Sequence, residues 1–428
     1  MLDRRYVLDH LEEVRRKTEL RGAESFDFDG LVALVGRWKA TQAAFEEARR
    51  EQKVRSESMK SLQPGSDAFK ETIASLKPLK AKVQELDASA KELEAELHAT
   101  LLELPNIVDD DAPVGSDEEA NALVRESGTV GTYDFEVRDH VDLGEGLGLL
   151  DMEAAGRVAG ARFTFLRGGL ARLERALINF MLDMHTSEHG YEEMLAPLLV
   201  NRDALTGTGQ LPKFEEDVFK TARPGAGDEP FYLIPTAEVP VTNYLREQLL
   251  PSYPGTLKFV AHTPCFRSEA GSHGRDTRGL IRQHQFNKVE LVKFTSAEEA
   301  VAEHLALLDD ACAVLDRLEL PYRVMDLCTG DIGFSARRCF DVEVWLPSQE
   351  RYREISSCSH FGDFQARRAG IRYRVEGERP RFFDTINGSG LAVGRTLVAV
   401  LENFQEAGGA VTIPDALRPY TGFDRLTP

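Results

Sequence analysis

The sequence predicts an α+β protein: an N-terminal antiparallel helical arm followed by a larger domain of mixed α and β composition. Three observations carry this. Over residues 29–102 apolar side chains recur at steps of four and three, broken once at Gln63-Pro64-Gly65-Ser66. After residue 105 that rhythm stops, and stretches 258–267 and 283–294 have strand-like composition on either side of a Gly/Arg-rich loop. The length of 428 residues, 42% hydrophobic, leaves room for two or three domains with a sizeable core.

Taken in order, residues 1–25 read as a short helix and a turn. The arm follows, on about 29–102. Its second helix carries Phe69, Ile73, Leu76, Val83, Leu86, Ala90, Leu93 and Leu97, a coiled-coil seam. The first helix repeats the pattern more roughly with Leu31, Val35, Trp38 and Phe45. A Pro-Gly break between two such helices implies an antiparallel hairpin on the order of 50 Å long. The charge is unevenly placed. Residues 49–82 hold nine basic and four acidic side chains, whereas 29–48 and 83–102 together hold three basic and eight acidic. The tip is thus +5 on a chain of net charge −19. The overall charge argues against wholesale nucleic-acid binding, and the tip supplies a local patch that suits a phosphate backbone: Arg49, Arg50, Lys53, Arg55, Lys60, Lys70, Lys77 and Lys80, with Lys82 beside them.

An acidic linker, 105–121, contains Asp109-Asp110-Asp111 and two prolines. Residues 170–185 then read as an amphipathic helix, and 191–200, containing Pro197, as a strand. No apolar run reaches membrane-spanning length, and the N-terminus has no apolar signal region, so the expectation is a cytoplasmic enzyme without a membrane. Five scattered cysteines with no CxxC pair point to reduced, buried thiols rather than disulfides or zinc. There are no internal repeats, no dinucleotide fingerprint and no P-loop lysine.

The chemistry concentrates in 266–291, FRSEAGSHGRDTRGLIRQHQFNKVEL, and in a distant companion, NGSGLAVGRT, at 387–396. Arg267 and Glu269 are two apart and would share one face of an extended segment; Phe286 and Glu290, four apart, would do the same. The loop between them starts at Gly271 and Gly274 and holds Arg275, Arg278 and Arg282. Antiparallel pairing around it would bring Arg267, Glu269, Phe286 and Glu290 together. Downstream, a strand-like RFFDTI is expected to turn at Asn387-Gly388-Ser389-Gly390 into a helix bearing Arg395, whose N-terminus favours anions. Arginine forks bind carboxylate and phosphate oxygens, so the set suits a polyanion and a small zwitterion in one pocket.

These two strings resemble motifs 2 and 3 of the class II aminoacyl-tRNA synthetases. With Thr236-Ala237-Glu238, the arm, and the helix, strand and proline of 170–200 as motif 1, the chain resembles the seryl-tRNA synthetase family over nearly its whole length. The resemblance implies a class II synthetase-like antiparallel sheet with flanking helices, joined to the coiled-coil arm. Domain bounds follow as 1–104 for tRNA binding, 105–121 as linker and 122–428 for catalysis. It implies that L-serine and ATP give seryl adenylate, and that the seryl group passes to the 3′ end of tRNA(Ser), with tRNA(Sec) a further candidate. Arg267 would bridge the serine carboxylate and α-phosphate, Glu269 would face the adenine, Arg282 the far phosphates, Phe286 the base, and Arg395 the γ-phosphate, with Ser268 also in the ATP site. Glu354-Ile355-Ser356-Ser357 would join the nucleotide site, with Glu354 and Ser357 holding Mg2+. Thr236, Ala237, Glu238, Glu290 and Ser389 would bind serine; Glu290 and Ser389 would read its hydroxyl, and either Glu238 or Glu290 could meet its ammonium. A homodimer is implied, with the arm of one subunit gripping tRNA held at the other's site. No side-chain nucleophile is required, because the substrates react with one another. One departure stands out: Ser359-His360-Phe361-Gly362-Asp363-Phe364, where the family often reads Ser-Asn-Cys-Gly-Asp-Phe. A prolyl, threonyl or glycyl enzyme would usually carry a C-terminal anticodon-binding domain, for which too few residues follow Arg395.

Overall fold

The computed structural model describes every residue except 23–25, 223–224, 226–228 and 271–277. The chain forms two compact units: Leu2–Arg16 with Glu24–Leu104, and Met1, Lys17–Ala23 and Pro105–Pro428. Near the N-terminus the single short helix expected is two, Arg4–Asp9 and Leu11–Glu19, with a turn at His10.

In the arm, α1 (Phe28–Ser58) and α2 (Asp67–Glu103) run for 31 and 37 residues. Each start is capped by a side-chain oxygen: Asp27 accepts from the Gly30 N–H at 2.7 Å and Ser66 from the Phe69 N–H at 3.2 Å. Between them Gly65 takes φ +87°, which any Cβ would strain. Leu31, Leu34, Val35 and Ala48 of α1 are buried, as are Leu79, Ala90, Leu97 and Leu101 of α2. Ile73 does not belong to the seam; it is 47% exposed. Heptad steps from Phe69 pass through Thr72, Leu76 and Leu79, which leaves Ile73 about 100° off the contact line. Of the tip cations, Arg49, Arg50, Lys53, Lys60, Lys70, Lys77, Lys80 and Lys82 are exposed. Arg55 is half-buried and hydrogen-bonded to Glu51.

The larger unit is built on an eight-stranded sheet. Its strands are β1 (Ala122–Ser127), β2 (Glu192–Glu193), β3 (Leu257–Phe266), β4 (Gln285–Thr295), β5 (Tyr322–Asp326), β6 (Arg338–Leu346), β7 (Arg351–Gly362) and β8 (Asp384–Ala392). In space the order is β1-β5-β6-β7-β8-β4-β3-β2. Every pair is antiparallel but β2–β3. The expected β3–β4 hairpin forms, with Phe266 opposite Gln285 and Ala261 opposite Glu290.

Ahead of the sheet's central strands come α3 (His140–Gly146) and α4 (Gly168–Ser187); α5 (Ala300–Arg317) and α6 (Val393–Asn403) follow. The apolar faces of α4, α5 and α6 join Val260, Val289, Leu291, Val342, Ile355 and Ile386 of the strands in one core. Alternation along each strand leaves the opposite face for polar side chains.

Two expectations fail here. Residues 191–200 are not one strand: β2 ends at Glu193, and Leu199–Val200 pairs instead with Phe231–Leu233 in a separate sheet. Pro197 offers no N–H to a ladder, and the intervening Leu195 is 98% exposed. Nor do Asn387-Gly388-Ser389-Gly390 form a turn; they lie inside β8 and are buried. Their glycines serve packing. A Cβ on Gly388 would stand 2.6 Å from Leu307 Cδ2 of α5, and one on Gly390 would stand 2.6 Å from His185 Nε2 of α4.

The acidic segment 105–121 is built into this unit rather than strung free. Asn106 Nδ2 donates to the Phe361 carbonyl at 2.7 Å, and Arg337 pairs with Asp109 at 2.6 Å. All five cysteines are buried and none forms a disulfide.

Candidate active site

A cavity of about 620 Å3 opens on the polar face of the sheet, over β4, β8 and β7. Arg267, Glu269, Arg282, Phe286, Glu290, Glu354, Ile355, Ser357, Ser389 and Arg395 line it, with Thr236 and Glu238 from a separate loop. Three of the expected residues do not line it, and a fourth, Ile355, lines it while its side chain belongs to the core. Ala237 is buried in the apolar cluster with Val241 and Phe259. Ser268 gives its N–H to Asp217 O at 3.0 Å and its hydroxyl to Glu216 O at 2.5 Å. Ser356 turns to the other face and donates to the Ser389 carbonyl at 2.7 Å. Ile355 belongs to the core and reaches the wall only in part. Gly271, His273, Gly274 and Arg275 lie outside the described residues, whereas Arg278 ties to Asp142 at 2.6 Å and Asp139 at 3.3 Å.

Two β-bulges place key groups. A carboxylate and a hydroxyl three apart on a strand should face opposite sides. Between β6 and β7 the register slips, with Val342 opposite Ser356 and Glu343 opposite Glu354, so Ile355 is the extra residue. The slip turns Glu354 and Ser357 to the same cavity. Between β4 and β8, Val289 faces Leu391 and Glu290 faces Ser389, so Gly390 is extra. That slip puts Asn387, Ser389 and Ala392 on the cavity wall and returns Leu391 to the core.

Arg267 and Glu269 meet the cavity by a different route from the one expected. The strand ends at Phe266, and Glu269 takes φ +54°, so a turn rather than strand alternation brings them together. Arg267 Nε donates to the Pro235 carbonyl at 3.3 Å, and its guanidinium lies over the Phe286 ring, 5.3 Å from the centroid. Glu269 pairs with Arg282 Nη1 at 2.7 Å. Among the described residues Arg282 Nε is buried without a hydrogen-bond partner, which suits a donor to a ligand. Arg395 is held by two carbonyls, Ile281 O at 3.2 Å from Nε and Glu354 O at 2.6 Å from Nη1.

At the deep end, Glu290 Oε1 accepts from Asn387 Nδ2 at 3.2 Å, and its other oxygen lies 2.5 Å from Lys288 Nζ without hydrogen-bond alignment. Gln365 Nε2 donates to Glu238 at 2.6 Å while its amide oxygen accepts from Thr385 at 2.7 Å. Burial, and then the charge of Glu290, push the Glu238 carboxyl up to about 7. Lys288, Asn387 and Gln365 were missed from sequence. Lys288 was the accessible one: it sits midway between Phe286 and Glu290 at strand alternation.

The Glu354–Ser357 pair presents hard oxygen donors. A second carboxylate, Asp341, pairs opposite Ser357 across the β6–β7 ladder and is held well above the usual carboxylate range by burial and by Glu354. Among the described residues no group of three or more His, Cys, Asp or Glu could cage a metal ion. This donor set fits an ion that keeps waters and phosphate oxygens, as Mg2+ does.

Comparison with known proteins agrees with this geometry. Residues 219–404 match the tRNA synthetase class II core domain of the G, H, P, S and T type, and residues 1–108 match the seryl-tRNA synthetase N-terminal domain. The chain is 54% identical over 423 residues to a serine–tRNA ligase of Syntrophotalea carbinolica, covering 99% of this chain and 98% of that one. A serine–tRNA ligase of Geobacter sp. (strain M21) is also 54% identical, with 99% of each covered. Among solved structures, seryl-tRNA synthetase from Pyrococcus horikoshii complexed with ATP superposes with a TM-score of 0.93 at 33% identity, covering all of both chains. A cytoplasmic serine–tRNA ligase from Naegleria fowleri in complex with AMP gives 0.86 at 28%, covering 99% of this chain and 97% of that one. With its arm, its sheet and its arginine-lined cavity, the chain belongs to the seryl-tRNA synthetases, within the class II aminoacyl-tRNA synthetases.

Proposed function

We propose that this cavity activates L-serine with ATP and passes the seryl group to tRNA(Ser). The carrying observation is the convergence of three arginines (Arg267, Arg282 and Arg395) and two buried carboxylates (Glu238 and Glu290) on one cavity. In the first step a serine carboxylate oxygen bonds to the α-phosphorus of ATP, the bond to the β-phosphate bridging oxygen breaks, and pyrophosphate leaves. Both reactants are anionic, so the site must neutralise their repulsion and hold them in line. Arg267 spans the serine carboxylate and α-phosphate from its place over Phe286; the adenine takes that ring face as the guanidinium turns to the phosphate. Arg282 leaves Glu269 for the outer phosphates, freeing Glu269 for the base, and Arg395 covers the γ-phosphate. Glu354 and Ser357 would hold Mg2+, which neutralises phosphate charge when bound. Glu238 takes the serine ammonium, and Glu290 with Ser389 meets the hydroxyl. In the second step a hydroxyl of the 3′-terminal ribose attacks the acyl carbon and AMP leaves.

The exposed tip cations of the arm suit the phosphate backbone of tRNA. The exposed Leu195, Leu199 and Tyr244, 98%, 44% and 62% accessible, form an apolar surface that suits a homodimer contact. A monomer mass by light scattering would overturn that. Among the described residues no helix is long and apolar enough to cross a membrane, and a tRNA substrate suits a cytoplasmic enzyme.

The first test is ATP–pyrophosphate exchange with each of the twenty amino acids. Exchange with serine alone is expected. Exchange with another amino acid would overturn the pocket assignment, and none at all from folded protein would overturn the activity.

A further inference from the structure

His140 lies outside the cavity lining, yet the geometry points to it as a positioning residue that sets the Leu280-Ile281-Arg282 backbone against the nucleotide; this rests on the ATP site proposed above. His140 opens α3 and is buried. Its Nε2 accepts the Leu280 N–H at 3.1 Å, and its Nδ1 lies 2.9 Å from Glu402 Oε1. A ring nitrogen that accepts an amide N–H carries no proton, so the ring is neutral and Nδ1–H donates to Glu402. Glu402 is fully buried and already occupied. Its Oε1 also takes the His140 N–H at 3.1 Å, and its Oε2 takes the Ser348 hydroxyl at 2.7 Å. The tautomer is therefore locked from behind.

Glu402 stands on α6, about two turns after Arg395, so both project from one side of that helix. Arg395 Nε donates to the Ile281 carbonyl at 3.2 Å. Helix α6 thus grips two consecutive residues of one segment: Ile281 directly through Arg395, and Leu280 through Glu402 and His140. The next residue, Arg282, enters the cavity with its unpartnered Nε. Gly279 makes the approach possible. It takes φ +94°, and a Cβ there would stand 2.2 Å from His140 Nε2. The Arg278 pairs with Asp139 and Asp142 are more exposed and add little. Because both ring nitrogens are consumed by protein partners, His140 has no group left for substrate, and its effect must pass through position.

Two isosteric changes separate the two ring nitrogens. His140→Asn keeps a donor for Glu402 near Nδ1 but leaves the Leu280 N–H buried without a partner. His140→Gln keeps an acceptor for Leu280 near Nε2 and gives up the Glu402 contact. In serine-dependent pyrophosphate exchange, His140→Asn is expected to raise KM for ATP about tenfold while KM for serine stays within about twofold. His140→Gln is expected to retain most of the ATP affinity. Without nucleotide, the Leu280 amide should exchange hydrogen faster in the Asn variant than in the Gln variant. Should both variants fail to fold, Gly279→Ala, which keeps the His140 and Glu402 side chains but puts a methyl where Nε2 meets the Leu280 N–H, is expected to give the same ATP-selective rise. The reverse order of the two variants, or equal rises for ATP and serine, would overturn the inference. Arg395→Ala distinguishes the two layers. If it leaves KM for ATP unchanged, the proposed ATP site is wrong, while hydrogen exchange at Leu280 still reads the His140 link.

Discussion

At the residue scale the site depends on charges that the fold keeps in poor solvent. Among the described residues Arg267 pairs with no carboxylate; the Pro235 carbonyl and the Phe286 ring face hold its guanidinium. It is therefore available for a reacting anion. Arg267→Ala is expected to lower pyrophosphate exchange by at least about a hundredfold, leaving the thermal midpoint within a few degrees, because charge neutralisation at the reacting centre is lost. Exchange near the unmodified level in a folded variant would remove Arg267 from the mechanism. Glu238 supports a pH prediction. Its carboxyl is raised to about 7, so in the free enzyme it is increasingly neutral below that pH and ionised above it. A neutral carboxyl attracts an ammonium less, so kcat/KM for serine should fall as pH drops through about 7. The Glu238→Gln variant should lose that limb. A limb that persists in the variant would assign it to another group.

At the scale of elements, small residues and bulges matter more than helix or strand propensity. Gly388 and Gly390 read in the sequence as a turn for close approach to a ligand, but one strand continues through both, bulging at Gly390. Their lack of a side chain lets α5 and α4 press on the sheet. Gly388→Ala would bring a methyl within 2.6 Å of Leu307 and 2.9 Å of Cys358 Sγ. It is expected to cost roughly 1–3 kcal/mol of stability by overpacking, with a lowered unfolding midpoint in urea. An unchanged midpoint would show that Leu307 repacks freely. The Glu354–Ser357 pair carries the same lesson: its three-residue spacing on a strand becomes one site only because Ile355 bulges. A bulge is set by pairing with the neighbouring strand, so the local sequence does not announce it.

At the scale of the whole molecule, the proposed function assigns tRNA binding to the basic tip and adenylate formation to the acidic larger unit. Reversing Lys53, Lys60 and Lys77 to glutamate is expected to leave serine-dependent pyrophosphate exchange intact and to raise KM for tRNA at least about tenfold. The salt dependence of charging should become shallower. Undiminished charging at moderate salt would remove the tip from tRNA binding. The sequence by itself determined the helical hairpin, the β3–β4 pairing and most of the residues that meet in the cavity. Those features rest on local periodicity and on residue types whose chemistry has few other uses. Only the tertiary structure decided that Ala237, Ser268 and Ser356 turn away from the cavity, and that Lys288, Gln365 and Asp341 complete or underlie it. It alone decided that residues 191–200 divide between two sheets and that His140 reaches Leu280 across 140 positions of chain. The reason is physical: orientation within a strand depends on register with its neighbours, and buried polar groups take the partners that packing delivers, both of which are long-range properties of the folded chain.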